Sequence, residues 1–123
     1  MKKCVYVIDD DQLVLDAVCS RLGQAGYEAT SYSDPTAFIA AAPHLEPGCV
    51  VLDLDMPGMD GLQVQETLSR LGIKFHIIFY SGRDSVRHAV EGMRGGAADF
   101  LQKSHDLYPL IAAIEKGFRA RSE

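Results

Sequence analysis

Cys49-Val50-Val51-Leu52-Asp53-Leu54-Asp55-Met56-Pro57-Gly58 joins an uninterrupted apolar run to two acids and a Pro-Gly turn. A short run without polar alternation is expected of a strand covered on both faces, and such strands belong to parallel sheets flanked by helices. Working outward, the same pattern recurs at Cys4 to Ile8, which ends in Asp9-Asp10-Asp11, and at Ile73 to Phe79, which leads into Tyr80-Ser81-Gly82. Glu28 to Ser31 and Asp99 to Leu101 supply two weaker strand candidates.

Between the strands the apolar period changes to that of helices. Val14, Ala17, Val18 and Leu22 share one face, as do Val64, Leu68 and Leu71, then Val86, Ala89, Val90 and Met93, and finally Leu107, Leu110, Ile111, Ile114 and Phe118. A further helix is expected to start at Asp34-Pro35, with Asp34 as its N-cap, and to stop at Pro43. Gly23, Gly26, Gly72, Gly95 and Gly96 fall at or near helix ends, where a left-handed residue commonly closes the last turn. Five strand-helix pairs in alternation predict an α/β fold built on a parallel sheet. At 123 residues the chain fits one domain, spanning 1–123.

Composition narrows the function classes. A net charge of −5 with scattered Lys and Arg argues against nucleic-acid binding by this chain. No segment approaches the roughly 20 apolar residues of a membrane span. The acids after Ile8 interrupt any signal-peptide core, so a cytoplasmic protein is expected. Cys4, Cys19 and Cys49 are odd in number and carry no paired spacing, which favours small buried hydrophobes over a disulfide or zinc framework. His44, His76, His88 and His105 show no ligand spacing either, and Met56 and Met59 are expected to pack rather than bind a soft metal.

In a parallel α/β sheet the loops at the carboxyl ends of the strands converge on one edge. That rule gathers Asp9, Asp10, Asp53, Asp55, Ser81 and Lys103. Two carboxylates about 4 Å apart repel by roughly 4 kcal/mol at an effective dielectric near 20, so three together require a compensating cation. Oxygen ligands at strand ends suit magnesium, with manganese as a second choice. Metal and lysine can neutralise a transferring phosphoryl group while a carboxylate attacks in line, which gives an aspartyl phosphate.

The ordered set VIDDD, VVLDLDMPGMDG, YSG and DFLQK resembles that of the CheY-like receiver domains of two-component response regulators, over essentially the whole chain. The resemblance implies a doubly wound, flavodoxin-like sheet of strand order 2-1-3-4-5, with Asp53 as phosphoacceptor. It places Asp10 in direct contact with the metal, Asp9 through water, and adds Asp53 and the backbone carbonyl of Asp55. Ser81 stands where the family closes a hydroxyl on the phosphoryl oxygens, Lys103 where its lysine pairs with them, and Phe100 where an aromatic rotamer follows the switch. A histidine kinase is the implied phosphoryl donor. The run AVEGMRGGAADFLQK is most similar to FixJ-type receivers, which implies a phosphorylation-dependent homodimer through the face around Val86, Val90 and Phe100, and a transcriptional output domain outside this chain.

Three positions depart from the pattern or vary within it. Ser104 follows Lys103 where the family usually has a cis proline, and a non-proline cis bond costs about 2.5 to 4 kcal/mol. The loop is therefore either cis and strained, or trans and reshaped, with Lys103 displaced in the second case. Asp55 and Arg83 flank the expected phosphoryl position, where an ion pair between them would modulate access of water. The competing readings are a haloacid-dehalogenase-type magnesium phosphatase, from the Asp53-Leu54-Asp55 pattern, and a stand-alone phosphoryl carrier. A switch that catalyses its own phosphoryl transfer and dephosphorylation is expected, rather than an enzyme acting on a separate substrate.

Overall fold

The apolar runs form the middle of the sheet. In the computed structural model, which describes residues 2–82 and 86–122, β1 (Cys4–Ile8) and β3 (Cys49–Leu52) are buried at every residue, and β4 (His76–Ser81) at all but His76. β2 (Glu28–Tyr32) and β5 (Asp99–Gln102) form the two edges, in the order β2-β1-β3-β4-β5. All four pairings are parallel, with Ile8 beside Leu52 and Leu52 beside Phe79.

Strand alternation divides the core in two. Val5, Val7, Val51 and Ile78 pack with Leu15, Val18 and Leu22 of α1 (Gln12–Gln24) and with Leu110 and Ile114 of α5 (Tyr108–Ser122). Tyr6, Ile8, Leu52 and Phe79 pack on the other face with Phe38 of α2 (Pro35–Ala41) and Val64 and Leu68 of α3 (Gly61–Arg70). Burying each such side chain stabilises the fold by about 1.5–3 kcal/mol. α4 (Val86–Arg94) lies on this second face, where a Cβ at Gly92 would collide with the Phe79 ring.

Several boundaries differ from expectation. β4 starts at His76, not Ile73, because α3 closes first: Gly72 adopts φ +72°, and the Ile73 N–H donates to the Leu68 carbonyl at 3.0 Å. Ile73 then packs on the core as the contact that follows the helix stop, so its apolar character belongs to a cap and not to a strand. Leu71 is exposed for the same reason, since it lies one residue past the end of α3. β2 and β5 each run one residue further than expected, to Tyr32 and Gln102. α2 passes into a 3-10 turn over Ala42–His44 in place of a stop at Pro43. Gly26 and Gly96 carry the positive φ, whereas Gly23 and Gly95 do not.

Two helix faces need correction as well. In α1, Leu15 is buried and Ala17 is exposed. In α4, the small residue Gly92 faces inward while Val90 and Met93 are 52% and 44% exposed. The side chain of Val86 lies outside the described residues. Cys4 and Cys49 are buried and Cys19 is half-buried, and none of the three is in a disulfide. Among the described residues, no helix is long and apolar enough to cross a membrane.

Candidate functional site

The carboxyl edge of the sheet is acidic because β1 and β3, adjacent in space, each run straight into an aspartate. Asp9 follows Ile8 and donates its N–H to the Tyr32 carbonyl at 3.1 Å, while Asp53 follows Leu52 and donates to the Ile8 carbonyl at 3.0 Å. Ladder geometry therefore continues one residue past each strand and fixes both acids. They are 2% and 4% exposed, unusual for aspartate unless it is paired. Asp10 is exposed beside them.

α3 starts close to this edge. A capping box holds its N-terminus: Asp60 Oδ1 accepts from the Gln63 N–H, and Gln63 Oε1 accepts from the Asp60 N–H, both at 2.9 Å. A Cβ at Gly61 would overlap the Asp53 carbonyl oxygen, so glycine permits the helix to approach the Asp53 backbone.

Each Asp53 oxygen has a partner. Ser81, fully buried at the end of β4, donates its hydroxyl to Oδ1 at 2.8 Å, and Oδ1 also accepts the Asp55 N–H at 3.2 Å. Lys103 Nζ lies 3.4 Å from Asp53 Oδ2 and 2.8 Å from Asp9 Oδ2. Ser81 Oγ accepts the Leu54 N–H at 3.3 Å, and Asp55 Oδ2 is 3.4 Å away. Carboxylate oxygens of Asp9, Asp10 and Asp53 come within 4.8 Å of one another.

The electrostatics follow from three carboxylates facing one ammonium. Burial pushes the Asp9 carboxyl above the usual aspartate value, the neighbouring Asp53 charge adds to this, and bonds from Lys103 and the Asp11 N–H oppose it. Burial would lower the Lys103 amine, but its hydrogen bond to Asp9 and the charges of Asp53 and Asp9 outweigh burial and raise it. Both shifts favour proton retention, that of Asp9 mainly through burial and that of Lys103 through the negative charge around it. An all-oxygen donor set with an excess of negative charge fits a hard divalent cation.

The structure brings together Asp9, Asp10, Asp53, Asp55, Ser81 and Lys103 as expected. Phe100 is separate from the acids: it is half-buried and packed on the second core, beside Phe79 in the sheet register. Arg83 lies outside the described residues. No cis peptide occurs among the described residues, so Lys103-Ser104 is trans, and the amine nevertheless reaches the acids. The expectation that a trans bond would displace Lys103 is thus corrected. Sequence reasoning missed the Tyr80 hydroxyl, which meets the backbone of Ser104. A tyrosine inside a buried strand was the available signal, since a buried phenol needs a polar partner.

Residues 5–115 match the family model of the response regulator receiver domain. The chain belongs to this receiver family. It is 40% identical over 115 residues to the transcriptional regulatory protein FixJ of Bradyrhizobium diazoefficiens, covering 94% of this chain and 56% of that protein. Against the tetrathionate response regulatory protein TtrR of Salmonella typhimurium, identity is 36% over 118 residues, covering 96% and 57%. The receiver superposes on the crystal structure of FixJ-N with a TM-score of 0.90 at 32% identity, covering 97% and 95% of the two chains. It is therefore a CheY-like receiver domain of FixJ type, of the kind found in two-component response regulators, and the phosphatase reading is set aside. The receiver spans a little over half the length of these curated relatives.

Proposed function

We propose that the receiver takes a phosphoryl group onto Asp53 and changes conformation in response. The observation that carries this reading is the opposed pairing of the Asp53 carboxylate, with the Ser81 hydroxyl on one oxygen and the Lys103 ammonium near the other. In the transfer, a carboxylate oxygen of Asp53 forms a bond to phosphorus as the donor's bond to phosphorus breaks, and the leaving group departs with the electron pair. Lys103 and Ser81 then pair with the phosphoryl oxygens, and their approach neutralises the charge that builds up there.

Asp10, Asp9, Asp53 and the Asp55 carbonyl would hold Mg2+, or Mn2+ in its place. When bound, the ion supplies charge neutralisation at the phosphoryl oxygens. Asp9 orients Lys103 through the 2.8 Å ion pair. A histidine kinase in the cytoplasm is the donor, and hydrolysis by the receiver itself resets the state, with Asp55 and Arg83 controlling access of water. Ser81 and Phe100 form the switch. The exposure of Val90 and Met93 supports a phosphorylation-dependent homodimer through α4 and β5, and the naming of FixJ as a transcriptional regulator supports an output of that kind in the whole protein.

Incubation with acetyl phosphate and magnesium, followed by intact mass, tests the proposal. A gain of one phosphoryl group is expected in the wild type, with no gain in Asp53→Asn or in the presence of a chelator. Persistence of the adduct in Asp53→Asn would overturn the assignment.

A further inference from the structure

β4 ends in two adjacent hydroxyl residues that strand alternation sends to opposite faces. Ser81 reaches Asp53. Tyr80, 5% exposed, lies in the core beneath α1 and α5, and its hydroxyl does two things at once. It accepts the Ser104 N–H and donates to the Ser104 carbonyl, each at 3.3 Å. That N–H belongs to the Lys103-Ser104 peptide and that carbonyl to the next one, so a single phenol restrains both peptides around Ser104.

Lys103 is consequently held on both sides. Its own N–H donates to the Ser81 carbonyl at 2.7 Å, which closes the β4-β5 ladder, and the peptide that follows it rests on Tyr80. Beyond Ser104 the chain is tied again: Ser104 Oγ accepts the Asp106 N–H at 3.2 Å, and Asp106 Oδ1 accepts the Tyr108 N–H at 3.0 Å at the start of α5. With both flanks fixed, only the side-chain torsions of Lys103 remain to be set, and the Asp9 ion pair sets them. Without the phenol, the peptide after Lys103 and the one that follows it each lose a bond that fixes their planes, and the amine samples a wider volume. Misplacement by about 1 Å can cost on the order of a hundredfold in rate.

We propose that the Tyr80 hydroxyl is the positioning group for Lys103, acting through the backbone of Ser104 to hold the amine against Asp9 and Asp53. The proposal rests on Asp53 being the phosphoacceptor for its effect on rate, but not for its effect on the loop. Tyr80→Phe keeps the ring and removes the two bonds.

The test compares wild type, Tyr80→Phe, Lys103→Ala and the double variant by their rates of phosphorylation at saturating acetyl phosphate and magnesium. Tyr80→Phe is expected to slow the saturated rate by about tenfold, within the range that misplacement produces, and to add nothing in the Lys103→Ala background. An unchanged rate in Tyr80→Phe, or the same loss with and without Lys103, would overturn the proposal. Amide hydrogen exchange supplies an arm that needs no phosphoryl chemistry. In the wild type, Ser104 should exchange at least about tenfold more slowly than the exposed His105, and Tyr80→Phe should abolish that difference. Equal exchange at Ser104 and His105 in the wild type refutes the bracket even if the variant fails to fold. A wild type that shows the protected amide but accepts no phosphoryl group would refute the phosphoacceptor reading and leave Tyr80 as a restraint on the loop.

Discussion

Asp9 and Asp53 leave strands buried on both faces and are pinned by main-chain bonds to Tyr32 and Ile8, whereas Lys103 leaves an edge strand in which no residue is fully buried. The acids inherit their positions from the core: moving Asp9 means breaking the β1-β2 pairing and moving Asp53 the β1-β3 pairing, and with them the burial of Ile8 and Leu52. The lysine arm rests instead on a few polar bonds, from the Ser81 carbonyl and the Tyr80 hydroxyl. One side of the site is as firm as the fold, and the other can be altered without unfolding it.

Truncating the two regions gives the largest expected difference. Leu52→Ala removes a fully buried side chain between Ile8 and Phe79 and should cost about 2–5 kcal/mol in urea denaturation. Leu101→Ala, on half-buried β5, should cost about 1 kcal/mol. Equal losses would break the comparison. A smaller effect is expected at Asp9 in the metal-free protein. Its folded carboxyl titrates above the ordinary aspartate value, so between those two values the folded chain binds more protons and stability falls as pH rises. At pH 7, above the ordinary aspartate value, that cost has set in. Asp9→Asn should therefore raise metal-free stability at pH 7 and flatten the decline above the ordinary aspartate value. A variant less stable than wild type at pH 7 would mean that the bond to Lys103 outweighs burial. The smallest effect belongs to Lys103, whose folded amine is raised: its stabilisation is complete below the unfolded lysine value and lost as pH rises through the folded one. Alkaline melting curves of Lys103→Gln should lack that late loss.

The same contrast explains what the sequence discloses. Strands whose burial is complete write themselves as apolar runs, so β1 and β3 and the acids at their ends are legible residue by residue. Ile73 misleads because an apolar residue that caps a helix looks the same in sequence as one that opens a strand. α4 misleads because a count of large apolar residues ignores Gly92, the residue that lets the helix approach Phe79 and leaves Val90 and Met93 outside. The Lys103-Ser104 bond is trans, the ordinary state of a non-proline peptide, but the group that meets the Ser104 backbone is a tyrosine in another strand, and no local reading of the loop contains that contact.

The site is also written along the chain in a fixed order: acids at 9, 10 and 53, hydroxyl at 81, lysine at 103. A chain emerging from the ribosome holds all three carboxylates before its matching ammonium has been made. Their mutual repulsion works against early pairing of β1 with β3 and is relieved when β5 docks on β4 and delivers Lys103. The outermost strand on that side thus brings the counter-charge for the centre of the sheet, and the last part of the site to be synthesised is the part that makes the rest electrostatically tolerable.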